Sequence, residues 1–131
     1  MADVLPGNLS IKMHVLRDDY TVCQISDPSD ICFEDEFVFV GKTDDELSLV
    51  CRTSAVPLAV LAREDGWKAI KIQGVLDFSL VGILAGIASI LAELHISIFA
   101  VSTYNTDYIL MKAGSLSTAE ISLKNNGYKF V

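Results

Sequence analysis

From residue 80 to residue 95 the chain reads LVGILAGIASILAELH, and its apolar residues Leu80, Ile83, Leu84, Ile87, Ile90, Leu91 and Leu94 recur at helical spacing. The pattern predicts one long helix, with Asp77 or Ser79 as its cap. Before it, WKAIKIQG (67–74) alternates as a strand. After it, ISIFAVS (96–102) and TDYILMK (106–112) form two strands joined by a polar turn. SLSTAEISLKNNG (115–127) then reads as a second helix stopped by Asn126 and Gly127, and YKFV (128–131) as a last strand. The resulting order, βαββαβ, is that of the ferredoxin-like sandwich, an antiparallel sheet with helices on one face.

The second face of the long helix is small rather than charged: Gly82, Ala85, Gly86, Ala88, Ser89 and Ala92. Its uncharged run, 78–92, is 15 residues, short of the roughly 20 that span a bilayer. Close packing against another helix, in a second subunit or in the first half, is therefore expected, and with it a homodimer.

The first half reads as a worn copy of the second. YTVCQIS (20–26) parallels WKAIKIQ, and 37–51 parallels 98–112 with one residue inserted, which sets Glu46 against Asp107. Between the matching strands stands only DPSDICFEDE (27–36), so the long helix has no counterpart there. The segment 55–66, with Pro57 and the turn-like EDG, joins the halves. The expected fold is α+β, with two tandem ferredoxin-like units, a degenerate one at 1–62 and an intact one at 63–131.

The net charge of −7 is uneven, since residues 18–46 hold ten acids and one base while 47–131 hold six acids and seven bases. An acidic first half with no basic aromatic face argues against nucleic acid as a partner. The start of the chain, broken by Pro6, Gly7 and Asn8, shows no signal peptide, and a cytoplasmic protein is expected with no membrane partner. Cys23, Cys32 and Cys51 lack CxxC spacing and are expected as buried free thiols. Together with His14 they fit no common zinc pattern.

Catalytic apparatus is not visible. His95 lies at a helix end, where it caps carbonyls. The pairs Asp18/Asp19 and Asp44/Asp45 occupy turn positions, the calcium-loop spacing is missing around 27–36, and Gly74, Gly82 and Gly86 make no phosphate loop. Neither an enzyme, a metal site nor a cofactor is expected. Binding is better supported, because GVLDFS (74–79) leads into a helix N-terminus, whose free N–H groups favour a carboxylate. On the neighbouring hairpin stand Ser102 and Asp107, the latter suited to an ammonium or guanidinium. The plain alternatives are that Asp77 and Ser79 only cap the helix and that Asp107 only bonds the turn.

Residues 67–112 with the following helix resemble an ACT domain, most specifically in DFSLVGILA and SIFAVSTYNTDYIL, and DELSLVC with AVP matches the first half. More narrowly, the chain is similar to small ACT-domain proteins related to the cytosolic arginine sensors of animal growth control. The resemblance implies amino-acid binding at a domain or subunit interface, through the loop after the first strand and the acid of the TD pair. Carried onto this chain, those positions are Leu76, Asp77, Phe78, Ser79, Ser102, Thr103 and Asp107. The expected function is thus a small regulatory protein that binds an amino acid or similar metabolite and acts on a protein client. Its rival is a ligand-free dimerisation module.

Overall fold

The computed structural model describes residues 12–73 and 82–131. Among these, the strands are β1 (Lys12–Val15), β2 (Tyr20–Gln24), β3 (Val38–Lys42), β4 (Leu47–Arg52), β5 (Ala62–Gln73), β6 (Ile98–Ser102), β7 (Asp107–Lys112) and β8 (Lys129–Phe130). The helices are α1 (Ile83–Glu93) and α2 (Leu116–Asn125), and single 3₁₀ turns lie at Pro28–Asp30, Thr53–Ala55 and Ala113–Ser115. The fold is α+β, and it divides into two compact units. One joins β1 to Lys68–Val131, and the other is the contiguous segment Asp18–Trp67.

In the discontinuous unit the strand order is β6-β7-β5-β1-β8. Without β1 this is the ferredoxin-like order. β1 is wedged in as an extra strand, antiparallel to β5 and parallel to β8. Alternation sends Met13, Ile70, Ile72, Ile109 and Met111 to one face of this sheet, where Ile87 and Leu91 of α1 and Ala119 and Leu123 of α2 cover them. Both helices therefore lie on one face, as their periodicity predicted. α1 ends at Leu94, followed by His95 in the left-handed region at φ 58, with the Ile96 N–H returned to the Leu91 carbonyl at 3.0 Å. His95 thus acts through its backbone, at a position glycine prefers. His95→Gly is expected to raise stability by about 0.5–1 kcal/mol, read as a higher denaturation midpoint; a drop would mean that the imidazole itself holds the helix end.

The contiguous unit has the order β3-β4-β2-β5, all pairs antiparallel, which is the same ferredoxin-like order with both helices missing. Its correspondence with the other unit is close: β3 and β6, β4 and β7, and two of the 3₁₀ turns begin at Val38 and Ile98, Leu47 and Asp107, Thr53 and Ala113, each 60 residues apart. Buried positions repeat as well, Leu49 with Ile109 and Cys51 with Met111. The duplication is evident, with a register that differs from the expected alignment. Asp107 opens β7 opposite Ser102, and the residue that opens β4, opposite Lys42, is Leu47 rather than Glu46.

Two further expectations are corrected. The EDG segment does not turn; it lies inside β5, where two steps along β2 (Tyr20 to Val22) face three along β5 (Trp67 to Glu64). Gly66, at φ 88, takes the left-handed conformation such a bulge needs. Asp65 there accepts a hydrogen bond from the fully buried Thr21 hydroxyl at 2.5 Å, which ties the bulge to β2. Cys32 is exposed, because the chain turns its neighbour Ile31 inward instead, while Cys23 and Cys51 are buried in the core with Ile25 and Leu49. Burial pushes both of those thiols up, Cys51 to about 12, so they stay protonated and unreactive. Within the acidic segment one carboxylate is paired. Arg52 clamps Asp35 through Nε at 3.1 Å and Nη2 at 2.5 Å and holds its carboxyl below the usual carboxylate range.

Candidate functional site

Four residues, 103–106, connect β6 to β7, and most of their polarity is consumed by the turn. The Thr103 N–H donates to the Thr106 carbonyl at 2.8 Å. The Thr103 hydroxyl donates to that same carbonyl at 3.0 Å and accepts from the Thr106 N–H at 3.1 Å. The Thr106 hydroxyl reaches the Ile72 carbonyl near the end of β5, and so ties the turn to that strand. The sequence had placed Thr106 only at the start of the second hairpin strand. Its tertiary bond depends on β7 lying beside β5, which the local pattern does not encode.

Asp107 and Ser102 remain. They face each other in register as the last pair of the hairpin. Asp107 is half-buried and Ser102 exposed. Among the described residues neither side chain makes a hydrogen bond, and the Asp107 carboxylate has no ion pair. A half-buried carboxylate without a partner is an acceptor-only group with four lone-pair directions open, suited to an ammonium or guanidinium. Leu76, Asp77, Phe78 and Ser79 lie outside the described residues. Beyond them Gly82 stands at the N-cap of α1 in the left-handed region, at φ 86. The structure therefore brings Ser102, Thr103 and Asp107 together on one hairpin end, with the Thr103 hydroxyl already engaged by the turn.

A second feature near α1 was not foreseen. The Tyr128 hydroxyl is buried with no hydrogen-bond partner among the described residues, and a Cβ added at Gly86 would stand 3.4 Å from it. A tyrosine of the same unit thus approaches the helix at Gly86 to ordinary contact distance. Burial pushes the phenol pKa up, so it remains a neutral O–H.

The equivalent turn of the contiguous unit repeats the backbone device, with the Thr43 N–H donating to the Glu46 carbonyl at 3.0 Å and the Asp45 N–H to the Thr43 hydroxyl at 3.2 Å. Its acid is otherwise engaged, since Glu46 accepts from the Ser48 hydroxyl at 2.8 Å. An open groove of about 230 Å³ lies beside it, lined by Val22, Gln24, Glu46, Ser48, Arg63 and Glu64 among others. With leucine where the other unit has Asp107, this groove lacks the lone acceptor that marks the β6–β7 hairpin. Among the described residues no group of three His, Cys, Asp or Glu side chains is placed to hold a metal, and no helix is long and apolar enough to cross a membrane.

Comparison with known proteins follows this division of the chain. The ACT domain model matches residues 62–125, and a second model, described as an N-terminal domain, matches 18–59. No curated protein sequence matches the chain. Among solved structures, the Agobacterium tumefaciens protein Atu0741 is 31% identical with a TM-score of 0.82, over 93% of this chain and 92% of that one. A Vibrio cholerae protein, VC0802, described as of unknown function and possible transport protein, is 23% identical with a TM-score of 0.69, over 90% and 91%. The regulatory subunit of aspartate kinase from Thermus thermophilus shares the fold, with 9% identity and a TM-score of 0.61 over 87% and 96%. A repeated ferredoxin-like sheet order, an ACT model on the helix-bearing unit and a relative matching over most of both chains agree: the chain belongs to the ACT-domain family.

Proposed function

We propose that the protein is a non-catalytic regulatory module that binds an amino acid or a similar small metabolite at a domain or subunit interface. The observation that carries this reading is the half-buried carboxylate of Asp107, which has no partner among the described residues and takes the cationic group of the ligand. Ser102 and Thr103 flank it, and Leu76, Asp77, Phe78 and Ser79 supply the carboxylate side, as the family resemblance implies. The likeness in fold to a regulatory subunit of aspartate kinase supports a regulatory role. Occupancy of the site is read by a protein client.

A ligand-free dimerisation module is the second reading. It is favoured by one observation: Ala85, Ser89 and Ala92 of α1 are exposed, small residues that would let a second helix approach closely. The melting temperature of the protein, measured with each common amino acid at millimolar concentration, separates the two. One selective rise is expected. No shift with any of them, while a dimer persists, would overturn the ligand reading in favour of the second.

A further inference from the structure

Amphipathic helices that cover a sheet turn their apolar stripe down and their polar face out. The unit Asp18–Trp67 covers its sheet with two connecting segments instead, 25–37 and 53–61, whose Ile31, Val56 and Val60 close over Cys23, Ile25, Leu49 and Cys51. These same segments turn Phe33, Leu58 and Leu61 outward, at 69%, 105% and 65% exposure. Leu58 is as open as in an isolated peptide. No charged side chain interrupts 53–61, whereas the other segment presents exposed carboxylates at Asp27, Asp30, Glu34 and Glu36. Asp35 does not add to that charge, because Arg52 neutralises it.

We propose that Phe33, Leu58 and Leu61 form a docking surface for a basic amphipathic segment of a client polypeptide. Aliphatic side chains of the segment cover the three residues, and its Lys and Arg side chains meet the four carboxylates. Charge makes the choice of occupant. A second copy docked through the same patch would bring the carboxylates of both copies together, and an anionic membrane or nucleic acid would meet the same repulsion. This assignment is independent of the ligand reading, since it uses no residue of the β6–β7 hairpin.

Fluorescence anisotropy of two model amphipathic helices of equal length, one leucine–lysine and one leucine–glutamate, tests it on the full chain. The leucine–lysine peptide should bind. Its affinity should fall by at least about tenfold in the Leu58→Ser/Leu61→Ser double variant, as for contacts that dominate an interface, and fall again in Glu34→Gln/Glu36→Gln. The leucine–glutamate peptide should not bind. All four substitutions are at exposed positions, so an unchanged melting temperature confirms the fold of each variant. Equal binding of the leucine–lysine peptide by the Leu58/Leu61 variant overturns the proposal, as does equal binding of both peptides. Conversion of a wild-type dimer to monomer by the Leu58/Leu61 variant also overturns it, by assigning the face to a second copy.

Discussion

Asp107→Ala is expected to abolish the stabilisation that the cognate amino acid confers, while leaving the unliganded protein nearly as stable as before. A ligand at 100 times its dissociation constant adds about 2.7 kcal/mol, on the order of 10 °C in melting temperature for a chain of this size. The substitution should erase that shift. The side chain makes no hydrogen bond or ion pair among the described residues, so its removal should cost the free protein no more than about 0.5 kcal/mol. Asp107→Asn separates charge from shape: if the carboxylate meets a cation, asparagine fails nearly as badly as alanine. A ligand-induced shift that survives in both variants would refute the site.

The second large effect lies in the core. Leu91 and Leu94 stand on the same apolar stripe of the sequence, but Leu91 is fully buried and Leu94 is 38% exposed. Leu91→Ala should remove about 2–5 kcal/mol, the lost transfer energy plus a cavity among Ile70, Ile72 and Ile87. That is a large share of the roughly 5–15 kcal/mol that holds a domain together. Leu94→Ala should cost roughly 0.5 kcal/mol. Urea denaturation reads both, as a lowered midpoint with an unchanged slope. Equal losses at the two positions would mean that α1 does not present the face described.

Periodicity made the helices and the β6–β7 hairpin legible because each buries one face, and a buried face leaves its period in the sequence. The same logic failed where both neighbours of a position are apolar. Ile109, Leu110 and Met111 are all fully buried, so the hydrophobic pattern of β7 alone does not set the alignment; strand register and the repeated buried positions show that Leu47, not Glu46, answers Asp107. Gly66 illustrates a different ambiguity. A glycine after Asp announces a positive φ, but a bulge needs that as much as a turn does. Of the candidate site, Asp107 was readable as the acid at the end of the hairpin. Thr106 was not, because its hydrogen bond goes to a carbonyl 34 residues away in sequence.

The insertion of Asp18–Trp67 between β1 and the remainder of its own unit bears on the order in which the chain folds. Pairing β1 with β5 requires residues far apart in sequence to meet, and closing so long a loop in an unfolded chain is entropically costly. The contiguous unit can organise first, since all its strand pairs are internal to it. Once it has done so, its own ends are paired, Tyr20 against Trp67, only a few residues from the Val15–Ile70 pair that begins the next ladder. If the contiguous unit forms first, a long-range encounter becomes a short zippering step, and its strands and bulge suffice for that without a helix.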